Sequence, residues 1–229
     1  MSIWPGGEGP EIVKLVLWRH GQTTYNAERR FQGQSDVPLN ETGLRQAEEA
    51  APYLAALQPD AIFASDLSRA SATAAVLGRL TGLPVQFDKD LRERGGGSWE
   101  GLTAGEIAER WPDEYAAWAP PDGETAEAVA DRAEVAMHRI ADSLTGGGIA
   151  IVVAHGACLS LGAARLLGIP DDLRALGPFG NCRWSVLSRR LGKWRLLEHN
   201  AGVLTAPVLE PEAVPDAEPL LDSQAEREE

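Results

Sequence analysis

The sequence contains few cysteines, few basic residues and no long apolar run. Two cysteines among 229 residues cannot form a disulfide framework and are too few for a structural zinc site. No segment approaches the roughly 20 apolar residues that a membrane span requires. The first residues, MSIWPGGEGPE, lack the basic and apolar regions of a secretory signal. We therefore expect a soluble, cytoplasmic protein.

The scarcity of positive charge limits the classes of partner. The chain has 21 Lys and Arg against 34 Asp and Glu, so its formal net charge at pH 7 is -13. Nucleic acids and anionic membranes bind basic surfaces, and this charge argues against both as partners. It does not exclude a small anionic substrate, because a pocket can be cationic inside an acidic protein. The hydrophobic content of 44% is ordinary for a globular protein.

The composition changes after Thr205. Residues 206–229 place a proline at every fourth position from Pro207 to Pro219, and they contain eight acids and one base. Such a segment has too little apolar surface to form a packed core. We predict one folded domain over residues 1–205, followed by a disordered, acidic, proline-rich tail over residues 206–229.

Short apolar runs alternate with segments of helical periodicity. Residues 12–18 and 149–154 are almost continuously apolar, which is typical of strands buried on both faces of a parallel sheet. Pro52 should kink or divide the first helix. The alternation predicts an α/β fold with a mostly parallel sheet. The other predicted strands are 61–64, 85–87, 182–188 and 194–198, and the predicted helices are 42–57, 68–80, 103–111, 124–144 and 158–167.

Two of the four histidines follow the two most strand-like runs. His20 comes after residues 12–18, with Arg19 between them, and His155 directly follows residues 149–154. Ligands of α/β sheets bind beyond the carboxyl ends of the strands, and neighbouring parallel strands would bring these histidines together. Either histidine alone could be an ordinary polar residue at a strand end, but the matched pair favours a functional site.

Arginines occur at the same strand ends. Arg19 precedes His20, and Arg69 follows the predicted strand at 61–64. Two guanidiniums and two imidazoles suit a phosphate dianion, because Arg binds oxyanions through paired hydrogen bonds, and Asn26 could add a neutral donor. Neither the P-loop motif GxxxxGK[ST] nor the metal motif HExxH is present. The sequence therefore predicts a phosphate site without a metal or another cofactor.

Five segments resemble, in the same order, the motifs of one known family. They are LWRHGQTTYN, FQGQSDVPLNETGLRQAE, SDLSRASATA, LRERGGGSWEGLT and VVAHG, and the resemblance extends over about residues 12–200. The chain resembles the histidine phosphatase superfamily in its phosphoglycerate mutase-like branch. This resemblance implies a three-layer α/β/α fold around a mostly parallel central sheet, and it implies a phosphoric monoester hydrolase.

The resemblance also implies roles for the matching residues. His20 would be the nucleophile that accepts the phosphoryl group, and Glu93 would protonate the leaving group and then activate water. The reaction would be metal-independent and would pass through phosphohistidine. Three of the implied substrate-binding residues, Arg19, Arg69 and His155, would also take part in catalysis. The full implied substrate-binding set is Arg19, Asn26, Gln32, Arg69, His155 and Gly156.

Several functions share these motifs. By resemblance, cofactor-dependent phosphoglycerate mutases carry a longer insertion between the acid and the second histidine, whereas here Glu93 and His155 are 62 positions apart. We therefore favour a phosphatase acting on a small phosphorylated metabolite, a sugar phosphate or a phosphoglycerate derivative. The alternatives are the mutase, an α-ribazole phosphatase and a non-catalytic module that binds a phosphorylated ligand. A homodimer is compatible with the resemblance.

Residues 95–125 are expected to form a lid over the site. Aromatic faces suit sugars, so the aromatic residues of this segment either line the pocket or pack against one another inside the lid. These residues are Trp99, Trp111, Tyr115 and Trp118.

Deletion of residues 206–229 should leave catalysis nearly unchanged. The tail carries -7 of the net charge of -13, so truncation leaves -6 and raises the isoelectric point above its value of about 4.8. Phosphate release and isoelectric focusing of the full-length and truncated chains test this expectation. A large loss of activity would show that the tail contributes to the site.

Overall fold

The structure is a computed structural model that describes residues 11–169 and 176–203. The predicted tail, residues 206–229, lies outside these ranges. None of the helices in the described part is long and apolar enough to cross a membrane. The helices and strands, in chain order, are β1 (Ile12–Arg19), α1 (Thr24–Ala27), α2 (Glu41–Ala55), β2 (Ala61–Ala64), α3 (Ser68–Thr81), β3 (Val85–Phe87), α4 (Ala104–Arg110), α5 (Pro112–Ala116), α6 (Ala126–Ser143), β4 (Gly148–Ala154), α7 (Gly156–Leu167), β5 (Trp184–Arg190) and β6 (Lys193–Ala201).

Within those two ranges the strands form one six-stranded sheet in the order β3-β2-β4-β1-β5-β6. The first four strands in this order are parallel, while β5 is antiparallel to β1 and β6 is antiparallel to β5. The predicted mostly parallel sheet is therefore confirmed. The register pairs Arg19 with Ala154. The next residues, His20 and His155, consequently leave two adjacent strands at the same level.

Helices cover both faces of the sheet, because β1 and β4 are apolar on both faces. Leu15 and Leu17 of β1 belong to a core shared with α6 and α7, whereas Val16 and Trp18 belong to the opposite core, which is shared with α2 and α3. All four side chains are fully buried. This is the expected three-layer arrangement, and it explains why β1 lacks the polar alternation of a half-exposed strand.

Two local predictions differ from the structure. The division expected at Pro52 does not occur, because Pro52 lies near the end of α2 and the helix continues to Ala55. Because only the last residues of α2 follow Pro52, the missing N–H donor affects the hydrogen bonding of the last turn alone. Two short helices, α1 and α5, occupy stretches where the sequence predicts none. The second of them begins at Pro112, whose fixed φ suits the first helical position.

Two glycines allow α2 to pack directly against the loop that follows β1. A Cβ added to Gly21 would lie 2.3 Å from the carbonyl oxygen of Gly43, and a Cβ added to Gly43 would lie 2.0 Å from the carbonyl oxygen of Gln22. Contacts this short are sterically forbidden. The backbone beside His20 is therefore held in place by close contact with the first turn of α2.

Gly43→Ala should destabilise the fold. Because the new methyl group would meet backbone rather than a flexible side chain, α2 would have to move away from the loop. We expect the free energy of unfolding to fall by about 1–3 kcal/mol, measured by urea denaturation. The matched control is Gly105→Ala in α4, where a Cβ would meet no atom within 4 Å. That control should be neutral or stabilising, and equal losses in both variants would contradict the packing explanation.

Candidate active site

The parallel pairing of β1 with β4 brings two histidine rings into contact. The ring centroids of His20 and His155 are 5.1 Å apart. Both side chains are almost completely buried, with exposed fractions of 1% and 0%. The sequence prediction that the two strand ends meet is therefore confirmed.

Hydrogen bonding fixes the proton of His20 on one ring nitrogen. Its Nδ1 lies 2.7 Å from the carbonyl oxygen of Gly21, and a carbonyl can only accept, so Nδ1 carries the hydrogen. The lone pair of a neutral ring is then on Nε2. Burial, together with the positive charges of Arg69 and Arg19, lowers the pKa of His20 well below 6.5. At neutral pH the side chain is an uncharged imidazole with a nucleophilic nitrogen.

His155 is held by a hydroxyl group at the end of β2. Its Nε2 lies 2.9 Å from Oγ of Ser65, while its buried Nδ1 has no hydrogen-bond partner among the described residues. Burial lowers the pKa of His155 well below 6.5, and the charges of Arg69 and Arg19 act in the same direction. The second imidazole is therefore also neutral in the resting site.

Arg19 and Arg69 supply two positive charges beside these rings. Arg19, at the end of β1, donates through Nη1 to the carbonyl oxygen of Phe179. Arg69 is fully buried and donates from its two terminal nitrogens to the carbonyl oxygens of Ser35 and Gly33, each at 2.8 Å. Burial lowers the pKa of Arg69 to about 10, so the guanidinium stays charged at neutral pH.

Three buried nitrogens of this group have no partner within the described ranges. They are Nε of Arg19, Nε of Arg69 and Nδ1 of His155. Each guanidinium Nε–H is a donor that suits an oxyanion, and two fixed cations supply the charge that a phosphate dianion requires. Across residues 11–169 and 176–203, no group of three or more His, Cys, Asp or Glu side chains is placed to hold a metal ion.

The amides of Asn26 and Gln32 are linked to the site through Thr23. Asn26 Oδ1 accepts from the backbone N–H of Thr23 at 3.1 Å, and Gln32 Oε1 accepts from the Thr23 hydroxyl at 2.8 Å. Asn181 adds a second connection, because its Nδ2 donates both to the carbonyl oxygen of His20 and to Asn26 Oδ1. With the amide oxygens engaged, the amide nitrogens are the ends that can donate to a substrate.

Glu93 lies at the N-terminus of α7. Its carboxylate accepts from the backbone N–H of Ala157 at 3.3 Å and of Cys158 at 3.2 Å. A Cβ placed on Gly156 would lie 3.6 Å from Cζ of Arg19 and 3.8 Å from Oε2 of Glu93. Gly156 therefore marks the point where the predicted acid and the predicted phosphate ligand Arg19 meet, and a larger residue there would fill that space.

The structure adds residues that sequence reasoning did not single out. Ser65 directly follows β2, so its position at a strand end was the available signal. Asn181, which bridges His20 and Asn26, is preceded by no strand and carries no motif that marks it. Arg132 lies in the middle of α6 and reaches the segment around Glu93; only its tertiary contacts reveal it.

Three of the four aromatic residues of the expected lid, Trp99, Tyr115 and Trp118, pack against one another and against Phe31, which lies outside the segment. Trp99 is fully buried, and its ring contacts Phe31 at 5.8 Å, Trp118 at 5.4 Å and Tyr115 at 6.5 Å between centroids. We call these four residues the aromatic cluster. Of the two sequence interpretations, packing within the segment is the one that the geometry of Trp99 supports.

Comparison with known proteins identifies the family. The model of the histidine phosphatase superfamily (branch 1) matches residues 15–202. This chain belongs to that superfamily. The glucosyl-3-phosphoglycerate phosphatase of Mycolicibacterium vanbaalenii is 42% identical over 191 residues, which cover 77% of this chain and 84% of that protein. The metal-independent phosphoserine phosphatase of Arabidopsis thaliana is 36% identical over 194 residues, covering 80% of this chain and 79% of that protein.

A solved structure agrees with this histidine phosphatase fold. A mycobacterial glucosyl-3-phosphoglycerate phosphatase in complex with VO3 matches with a TM-score of 0.79 at 39% identity, covering 83% of this chain and 100% of that one. The predicted superfamily, the predicted α/β fold and the predicted enzyme class are therefore confirmed. The protein is a phosphatase, a hydrolase of phosphoric esters.

The two buried histidines should make this histidine phosphatase less stable in acid. An unfolded chain protonates histidine near pH 6.5, whereas the folded protein holds the pKa of both His20 and His155 below that value. The unfolded state therefore binds more protons below pH 6.5. The free energy of unfolding should decrease there by up to about 1.4 kcal/mol per pH unit for each histidine, and the full contribution should be present above that pH.

Urea denaturation between about pH 5 and pH 8 measures this dependence. His20→Gln should flatten the slope on the acid side, because one of the two buried imidazoles is gone. The control is His138→Gln, which removes a half-exposed histidine of α6 and should keep the wild-type slope. Identical slopes in all three proteins would show that the buried site does not control acid stability.

Proposed function

We propose that this histidine phosphatase hydrolyses phosphate monoesters of small metabolites without a metal, through a phosphohistidine at His20. The observation that carries the proposal is the bond from His20 Nδ1–H to the carbonyl oxygen of Gly21, which leaves Nε2 as a neutral nucleophile. Arg19 and Arg69, whose charges act on His20, neutralise the phosphate that it attacks.

In the first step, Nε2 of His20 forms a bond to phosphorus as the bond from phosphorus to the ester oxygen breaks. The leaving alkoxide takes a proton from Glu93, which lies beside Arg19 across Gly156. Arg19, Arg69 and His155 hold the phosphoryl oxygens, with Asn26 and Gln32 as further donors. Fixed donors of this kind lower the barrier by stabilising charge that spreads over the transferring group.

In the second step, water attacks the phosphorus of phosphohistidine. Glu93, now a carboxylate, takes a proton from that water, so the acid of the first step becomes the base of the second. The bond from Nε2 to phosphorus breaks, inorganic phosphate leaves and the neutral imidazole of His20 is restored. The proton taken up from water replaces the one that Glu93 gave to the alcohol, and the cycle balances.

The substrate proposal is a phosphoglycerate derivative or a sugar phosphate. Two relatives support it, because their names specify glucosyl-3-phosphoglycerate and phosphoserine, and both compounds contain a three-carbon acid that is phosphorylated on a hydroxyl. We propose the same class here, with the glucosylated compound as the first candidate.

Residues 95–125 are proposed as the lid of a single domain that spans residues 1–205. The ends of this segment are tied together beside Glu93, since Gly95 N–H donates to the Glu124 carboxylate at 2.7 Å and Glu124 N–H donates to the Gly95 carbonyl oxygen at 2.8 Å. Three of its aromatic residues, Trp99, Tyr115 and Trp118, pack together and attach it to Phe31. We propose that this segment, closed on itself next to the proposed acid, faces the alcohol part of the substrate.

Phosphate release in the presence of EDTA tests the proposed function. The panel is glucosyl-3-phosphoglycerate, O-phosphoserine, α-ribazole phosphate, 3-phosphoglycerate and p-nitrophenyl phosphate. We expect metal-independent hydrolysis. The highest kcat/KM should be found for glucosyl-3-phosphoglycerate, O-phosphoserine or 3-phosphoglycerate, which all contain a phosphorylated three-carbon acid. His20→Ala should lose turnover by several orders of magnitude, because no nucleophile remains. His138→Ala is the matched histidine control and should be active.

Other outcomes would replace the proposal. Efficient formation of 2-phosphoglycerate from 3-phosphoglycerate with 2,3-bisphosphoglycerate added would indicate a mutase. Preference for α-ribazole phosphate would change the substrate class but keep the chemistry. Binding of inorganic phosphate without hydrolysis of any ester would indicate a non-catalytic binding module.

A further inference from the structure

Every donor of the Arg132 guanidinium, in α6, binds either the backbone of residues 90–93 or the carboxylate of Glu124. Its Nη1 donates to the carbonyl oxygens of Asp90 and Arg92 at 2.9 and 2.6 Å, and its Nη2 donates to the carbonyl oxygen of Glu93 at 2.9 Å. The remaining two N–H groups bind the carboxylate of Glu124, both at 2.9 Å. Five donors in one rigid plane thus meet five acceptors.

Glu124 extends this contact to the other side of the acid. Its carboxylate also accepts from Gly95 N–H at 2.7 Å and from Gln34 Nε2 at 3.2 Å, and the same Gln34 nitrogen donates to the carbonyl oxygen of Glu93 at 3.1 Å. The backbone on both sides of Glu93 is therefore bound. We call Arg132, Glu124 and Gln34 the backbone clamp.

The clamp is charged and largely removed from water. The side chain of Arg132 is only 17% exposed and that of Glu124 29% exposed. Burial acts to raise the pKa of Glu124, but the bonds from Arg132 and Gly95 outweigh it and hold the pKa below its ordinary value. The loss of either partner would leave an unpaired, partly buried charge, which destabilises the folded protein.

Two different helices therefore hold the two halves of Glu93. Its carboxylate accepts backbone N–H groups at the start of α7, whereas its carbonyl oxygen is held by Arg132 from α6. Nearby, Arg92 forms a two-bond ion pair with Asp66 at 2.7 and 2.6 Å. Movement of the backbone would pull the carboxylate off the N-terminus of α7, and a shift of about 1 Å can cost a hundredfold in rate.

We propose that Arg132 is a positioning residue that aligns Glu93 for proton transfer to the leaving group. The inference rests on the proposed function, in which Glu93 is the acid. Among the described residues Arg132 makes no hydrogen bond to the phosphate ligands Arg19 and Arg69, and a lysine in its place keeps the positive charge that acts on His155. Arg132→Lys should therefore affect mainly proton transfer. Lysine cannot replace Arg132 in the clamp, because an ammonium has three donors and no planar fork.

Dependence on the leaving group separates this role from a purely structural one. The value of kcat/KM reports the steps up to departure of the leaving group. An alkyl phosphate expels a basic alkoxide and needs the proton of Glu93, whereas p-nitrophenyl phosphate expels a stable anion that needs little help. A misplaced acid should therefore impair the alkyl ester selectively, and a generally damaged site should impair both.

The experiment compares Arg132→Lys with wild type on p-nitrophenyl phosphate and on the alkyl ester that wild type hydrolyses best. We expect kcat/KM for the alkyl ester to fall about 10- to 100-fold and that for p-nitrophenyl phosphate to fall less than about threefold. Glu93→Gln should show the same selectivity at larger amplitude. Inhibition by inorganic phosphate should be unchanged, because the phosphate ligands are intact.

The matched control is Arg139→Lys, two turns further along α6. Arg139 also binds this region, but through the side chains of Asp88 and Asp90 rather than the backbone of Glu93. For Arg139→Lys, kcat/KM should fall only slightly, and by the same factor on both esters. If Arg132→Lys does not fold, Glu124→Gln can replace it, because it removes the negative charge that Arg132 binds. This variant should show the same selective loss of kcat/KM on the alkyl ester, but a smaller one.

An equal loss on both esters, or no loss on the alkyl ester, would overturn the positioning role. Absence of selectivity in Glu93→Gln would overturn it as well, because Glu93 would not be the acid. If wild type hydrolysed p-nitrophenyl phosphate but no alkyl ester, Glu93 would again not be the acid, and the positioning role would be overturned. Release of phosphate from neither ester by wild type would instead defeat the proposed function, and with it this inference.

Discussion

The site depends on the parallel pairing of β1 with β4. Because Arg19 stands opposite Ala154 in that register, the next residue of each strand is a histidine, and the two rings meet beyond the sheet without any long loop to position them. Both strands are buried on both faces, so a shift of one residue would place core side chains against the wrong helices. The chemistry of His20 and His155 is thus set by the same packing that stabilises the fold.

The charge of the site is opposite to that of the protein. The net charge of the chain is -13, yet the buried Arg69 and the partly buried Arg19 lie beside two imidazoles that burial keeps neutral. Neutral rings matter here, because a protonated His20 would have no lone pair to attack phosphorus. The acidic surface and the cationic site are compatible, since the hydrogen bonds that hold the two guanidiniums in the described part of the chain go to backbone carbonyls, which leave the positive charges available to a phosphate.

Sequence reasoning could predict the parts of the molecule that are determined locally. The apolar runs of β1 and β4 identified the buried strands, and the residues at their ends identified His20 and His155. Arg132 and Glu124 could not be found in this way, because a charged residue in a helix or loop is most often solvated, and only tertiary contact aligns them with Glu93. The continuation of α2 past Pro52 could not be predicted either, because the residue at which this helix ends is not marked in the sequence.

The mutual hydrogen bonds of Gly95 and Glu124 close the base of the segment between them. Ser98 and Asp122 pair a little further out, through bonds of 2.8 and 2.6 Å, so the base of the segment is closed by two pairs of residues. Lengthening a closed loop costs only about 0.6 kcal/mol for each doubling of its length. An insertion around Pro112–Ala116 would therefore leave this base closed, and it would leave the bonds of Glu100 to Gln34 and Ser35 intact.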